Sequence, residues 1–291
     1  MTTALQDRIA GAPISWGVCE VPGWGHQLAP ERVLAEMRAV GLSATEFGPD
    51  GFLPDDPAAK AAVLADHGLA AVGGFVPVVL HDDRHDAIAQ VDRALDGFVA
   101  AGAGVLVLAA ATGAEGYDER PVLDEVAWKR LFDTLDRLVE RASGRGVQAC
   151  LHPHVGTIVE SYDDVRRVLD GSAVPLCLDT GHLLIGGTDP AALVREATAR
   201  VVHTHLKDVD QTWATRVQRG EVTYTAAVAS GMYRPLGRGD VDIAGIVGTL
   251  ETAGYAGWYV LEQDTVLVRE PVDEGPVRDV RASVAYLRGL S

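Results

Sequence analysis

Short apolar runs alternate with longer amphipathic stretches along this chain, and the alternation repeats eight times. The runs fall at 9–15, 43–47, 69–79, 104–109, 147–152, 176–179, 201–205 and 258–262. Runs of roughly four to eight residues with helix-period segments between them read as strands joined by helices. Between 83 and 101, Ile88, Val91, Leu95, Phe98 and Val99 recur at helical spacing. Gly41, Gly68 and Gly146 stand where helices take a C-terminal cap. Ser161 and Asp189 stand where helices take an N-cap, and Pro190 suits a first turn. Strand followed by helix throughout implies a parallel sheet, and eight such units close into a barrel. No G-x-G-x-x-G follows the first run, which argues against a dinucleotide fold. The predicted fold is α/β, a single (β/α)₈ barrel over residues 1–291. Residues 208–240 break the rhythm after the seventh strand, and an insertion of that length predicts a lid or an interface element.

Composition limits what such a barrel does. The chain has 291 residues, 47% of them hydrophobic, which suffices for one barrel of about 250 residues plus an insertion. A formal net charge of −16 argues against nucleic-acid and anionic-membrane partners. No apolar run approaches the roughly 18 residues of a membrane span. Cys19, Cys150 and Cys177 offer neither a disulfide framework nor a thiolate metal site, and the last two sit in apolar runs as core residues. The N-terminal segment lacks the pattern of a secretory leader, so a cytoplasmic protein is expected.

In a barrel of this type the chemistry sits at the C-terminal ends of the strands. Here those ends carry Glu46, then His152 and His154, then Asp179 and His182, then His203, His205, Lys207 and Asp208, then Glu262 and Asp264. Any one of these histidines has an ordinary reading as a hydrogen-bonded residue of the barrel mouth. Five histidines on three adjacent strand ends, interleaved with carboxylates, point to a metal site. Imidazole and carboxylate donors without thiolate favour a divalent ion such as Mn²⁺, Co²⁺, Mg²⁺ or Zn²⁺.

The motifs carry a resemblance. A-P-I-S-W-G at the start, T-E-F-G, H-P-H-V-G-T, L-D-T-G-H, H-T-H-L-K-D, P-L-G-R-G-D and L-E-Q-D span nearly the whole chain. Together they resemble the sugar isomerase/epimerase superfamily with the xylose isomerase-like barrel, and within it the inosose dehydratases, which act on 2-keto-myo-inositol. The resemblance implies one divalent ion, Mn²⁺ or Co²⁺ first, held by ligands from the ends of strands five to eight. Three of those positions match Asp179, His205 and Glu262. The fourth, usually glutamate, matches His152, with His154 and Glu160 as further candidates. Replacing that glutamate weakens a plain aldose–ketose isomerase reading.

The activity implied is a metal-dependent dehydration of a keto-cyclitol or keto-sugar through an enolate stabilised by the ion. Isomerisation or epimerisation, or β-elimination of a 3-keto glycoside, uses the same first step. His154 and Lys207 are the candidate acid and base, in either order; a nearby dication lowers an ammonium's pKa, which suits Lys207 as base. Trp16, Glu46 and His182 are expected to line the substrate pocket. Arg238, with Arg216, Arg219 and Arg234, is a candidate for meeting an anionic substrate group. A small keto-polyol is the expected partner, and homo-oligomers are expected by analogy alone. A non-catalytic sugar-binding barrel would have shed such a ligand set. A DNA-repair endonuclease would need more ligands and a basic groove.

Overall fold

The computed structural model describes residues 3–290. Met1, Thr2 and Ser291, part of the predicted 1–291 barrel, lie outside the described residues; the first two also belong to the segment read as lacking a leader. Eight parallel strands close into a barrel. They are β1 (Ile9–Gly11), β2 (Ala44–Glu46), β3 (Ala70–Val78), β4 (Val105–Ala110), β5 (Gln148–Leu151), β6 (Leu176–Asp179), β7 (Val201–Leu206) and, after the two-residue strands β8 (Asp208–Val209) and β9 (Tyr233–Arg234), β10 (Tyr259–Leu261). β10 lies between β7 and β1 and closes the ring. At the seam that matters most for the site, Asp179 stands beside His205 in register.

The helices form where the sequence supplies both a stripe and a stop. In α4 (Glu125–Ser143), Trp128, Leu131, Leu135, Leu138 and Ala142 are buried at three- and four-residue spacing, and Asp124 caps the N-terminus by accepting from the Ala127 N–H. Burying each such leucine contributes roughly 1.5–3 kcal/mol. α5 (Tyr162–Gly171) starts on Ser161, which forms a capping box with Asp164. α7 (Pro190–Ala197) starts on Asp189. In α3 (Ala87–Ala101), Val91, Leu95 and Phe98 are buried as expected, but Val99 is 49% exposed. Its place beside Phe98 turns it off the stripe.

The structure trims the expected elements and adds some. The first strand stops at Gly11, and Pro13–Trp16 is a 3₁₀ turn, as the fixed φ of proline favours. A six-residue helix, α6 (Thr180–Ile185), begins directly at the end of β6, capped by Asp179. The insertion is ordered: β8 pairs antiparallel with β9, and α8 (Gln211–Gln218) and α9 (Tyr224–Ala229) lie between them. α10 (Ile243–Thr252) and α11 (Val277–Arg288) return to the outer ring. Inside the barrel, Val107, Cys150 and Cys177 form a small apolar layer. Among the described residues no helix is long and apolar enough to cross a membrane.

Candidate metal centre and active site

One carboxylate organises the centre. Asp179 is fully buried, and its Oδ1 accepts the N–H groups of Gly181 at 2.9 Å and His182 at 2.8 Å. That oxygen caps α6, which leaves Oδ2 without a hydrogen-bond partner. Around Oδ2 stand His152 Nε2 at 3.2 Å and His205 Nδ1 at 3.7 Å, and His205 Nδ1 lies 3.2 Å from Glu262 Oε2. His152 Nε2 and His205 Nδ1 are likewise buried and unpartnered. Buried polar atoms left unpaired are costly. Donors bound at about 2.1 Å to one ion lie about 3 Å apart, so converging lone pairs at this spacing fit a divalent cation. Asp179, His205 and Glu262 form one such buried group.

His205 has a partner that sets its direction, whereas neither ring nitrogen of His152 is hydrogen-bonded. Glu46 Oε1 accepts from His205 Nε2 at 3.0 Å and from His203 Nε2 at 2.7 Å. With Nε2 so engaged, His205 turns Nδ1 to the centre, an arrangement common to metal-binding histidines. Glu46 lines the cleft, and its Oε1 is shared by the two histidines. Against the upward push of burial, His205 and Lys207 hold Glu262 at about 2.

Lys207 is buried beside the centre. Its Nζ pairs with Glu262 Oε2 at 2.6 Å, with Asp264 Oδ1, and with Asp179 Oδ2 at 3.8 Å. Burial disfavours its charge, yet the three carboxylates hold the ammonium well above its ordinary range. The carboxylates therefore favour the charged lysine, which suits it to the acid's place in the pair whose order the sequence leaves open. Gly181 makes room for the stem: a Cβ there would come within 2.6 Å of Lys207 Cβ.

His154 is clamped by rings. His182 lies 3.6 Å away between centroids, Tyr117 4.6 Å and Phe75 5.4 Å. Its Nδ1 donates to the Val155 carbonyl at 2.6 Å, which in the neutral ring leaves the Nε2 lone pair free. Burial, with His152 and Lys207 close by, pushes His154 down to about 3, so the ring is neutral near pH 7. Gly156, at φ +75, lets Tyr117 approach: a Cβ there would sit 2.3 Å from Tyr117 Cα. Tyr117 Oη in turn pairs with Glu20 Oε1, joining the loops after β1 and β4 across the cleft.

Several predicted positions fall elsewhere. Trp16 is fully buried in the main core, and its indole N–H donates to Glu36 of α1 (Pro30–Ala39) at 2.8 Å. The 3₁₀ turn points it away from the cleft. Arg238 is exposed on the insertion, and its backbone N–H donates to the Pro235 carbonyl and to Asp208. Arg234 pairs with Asp210 and Arg216 stacks on Trp213, so neither reaches the cleft. His182 lies behind His154 rather than on the cleft wall. Glu160 binds the Gly156 N–H and faces Arg120, away from the centre. Asp208 binds no cleft group; its carboxylate accepts backbone N–H groups from Val209, Gly237, Arg238, Gly239 and Val241.

Conversely, Glu20 and Tyr117 line the cleft and were not singled out, and Asp264, named at the end of the eighth strand, was given no role. Asp264 had a signal in its place at the end of L-E-Q-D. The other two sit in irregular loops with no period to read.

The fold is that of one class. The chain belongs to the xylose isomerase-like TIM barrel family, whose model matches residues 34–290. It is similar over nearly its whole length to the inosose dehydratase of Geobacillus kaustophilus, 30% identical over 296 residues, covering 97% of this chain and 94% of the relative. It is also 32% identical over 268 residues to the rhizopine catabolism protein MocC of Rhizobium meliloti, covering 88% and 81%. Among solved structures, the IolI protein with a bound zinc atom superposes with a TM-score of 0.68 at 14% identity, covering 96% and 97% of the two chains. At that identity the likeness speaks to the fold.

Proposed function

We propose that this chain is a divalent-metal-dependent lyase that dehydrates a keto-cyclitol of the inosose type. The observation that carries the reading is the buried group of Asp179, His205 and Glu262, with the unpartnered His152 Nε2 3.2 Å from Asp179 Oδ2 and the neutral His154 and the charged Lys207 beside them. The similarity to proteins named inosose dehydratase supports the substrate class. His152, Asp179, His205 and Glu262 are the proposed ligands; imidazole and carboxylate donors suit Mn²⁺ or Co²⁺, with Mg²⁺ and Zn²⁺ next. A cation bound there supplies Lewis-acid stabilisation of the negative charge that develops next to a ketone.

The residues divide the remaining work. The free Nε2 of His154 suits it as the base that takes the proton α to the ketone. The Lys207 ammonium suits it as the acid that protonates the departing β-hydroxyl. One C–H and one C–O bond break, a C=C bond forms and water leaves. Glu46 holds His205 in its tautomer, and the Tyr117–Glu20 pair sits over the cleft where it limits water. We read the insertion at 208–240 as part of the same domain, with Tyr224 and Tyr233 packed beside Asp264 and Lys207.

A proton NMR time course in D₂O tests this, with metal-stripped protein, Mn²⁺ restored during the reaction and chelated before acquisition, and 2-keto-myo-inositol. The expected product is a deoxygenated dione with one ring proton lost. Deuterium incorporation without loss of water would instead make the chain an epimerase or isomerase.

A further inference from the structure

The insertion carries two tyrosines into the site, and neither has a role in the chemistry above. Tyr224 on α9 and Tyr233 on β9 are buried in one apolar cluster with Trp24, Val155, Ile185 and Val209. The Tyr224 hydroxyl donates to Asp264 Oδ2 at 2.6 Å and lies 3.0 Å from the Tyr233 hydroxyl. The other oxygen of Asp264 takes the Lys207 ammonium. The Tyr233 ring closes the far side of that ammonium, its centroid 5.4 Å from Nζ.

We infer that Tyr224 is a positioning residue: its hydroxyl fixes the Asp264 carboxylate so that the opposite oxygen holds the Lys207 ammonium beside the candidate metal centre. The inference rests on the reading of Lys207 as the acid of the proposed reaction. Asp264 is not among the proposed ligands, whereas Glu262, the nearer alternative partner of Lys207 at 2.6 Å, is. With Asp264 tied at both oxygens, the ammonium is shared between a fixed carboxylate and a ligand. With Oδ2 released, the Asp264 carboxylate turns about its terminal torsion and the ammonium settles on Glu262, drawing that side chain from the centre. A phenylalanine would fill the apolar cluster equally well. A hydroxyl buried there costs free energy unless it is hydrogen-bonded, and this one is spent on Asp264 and its neighbour Tyr233.

The test uses Tyr224→Phe and Asp264→Asn in the full chain, with two readouts. The chain has three lysines, Lys60, Lys129 and Lys207. In Zn²⁺-loaded, ¹⁵N-lysine-labelled protein, the buried Lys207 ammonium gives a slowly exchanging ¹H–¹⁵N signal. Tyr224→Phe is expected to shift that signal and speed its hydrogen exchange at least tenfold, with the melting temperature and zinc stoichiometry unchanged. With Mn²⁺ and 2-keto-myo-inositol, kcat is expected to fall about ten- to a hundredfold at constant KM, as for loss of an outer partner of a site. In an Asp264→Asn background the same substitution should add nothing. An unchanged Lys207 signal, or full kcat in Tyr224→Phe, overturns the inference. If the wild type does not act on inosose, the substrate reading fails while the ammonium signal still decides the role of Tyr224.

Discussion

Lys207 and His154 lie within one cavity and are driven to opposite charge states. Three carboxylates hold the lysine charged, while burial keeps the histidine neutral. In the proposed reaction the charged lysine is placed to give a proton and the neutral histidine to take one. Lys207→Gln is expected to lower kcat by about 10²- to 10⁴-fold, a usual contribution of general acid–base catalysis; steady-state kinetics with the protein shown to be folded checks it. His154 also predicts a pH dependence of stability. Its pKa is about 3 in the folded chain and about 6.5 unfolded. Between those values the unfolded chain binds more protons, so stability falls as pH drops from about 6.5 toward 3. The slope from this residue reaches about 1.4 kcal/mol per pH unit. His182, pushed down mainly by burial, acts in the same direction. Urea titrations at pH 7.5 and pH 5 should show this loss, and His154→Phe should reduce it.

At the scale of elements, the eight units were legible because burial imposes one period on strands and another on helices. Their ends were less so, since caps such as Asp86 and Asp124 trim the helices by a few residues. The buried cluster of histidines and carboxylates was legible because strand ends carry it. Trp16 and Arg238 were not, because the direction of a side chain leaving a 3₁₀ turn or an insertion is fixed by contacts distant in sequence. α6 was missed because D-T-G-H-L-L-I is too short to show a helical period. The insertion's order depends on Asp208 meeting N–H groups 29 to 33 residues ahead, which no local pattern reveals. That carboxylate is buried, and Asp208→Ala leaves several backbone donors without it. The substitution is expected to cost about 3 kcal/mol or more in denaturant unfolding and to release Tyr224 and Tyr233 from the site. Gly181→Ala, whose Cβ would come within 2.6 Å of the buried Lys207 Cβ, is expected to lower both stability and kcat.

For the whole molecule, the four proposed ligands come from the ends of four strands, and the unpaired buried atoms among them would link stability to a bound cation. Saturating Mn²⁺ is expected to raise the melting temperature, by about 2.7 kcal/mol of stability at a hundred times Kd, and a chelator to reverse it. The most direct measurement is an anomalous difference map from crystals of Co²⁺-loaded protein. A single peak within coordination distance of His152, Asp179, His205 and Glu262 is the predicted result. A peak elsewhere, or none at full Co²⁺ loading, would contradict the metal centre and the lyase chemistry built on it.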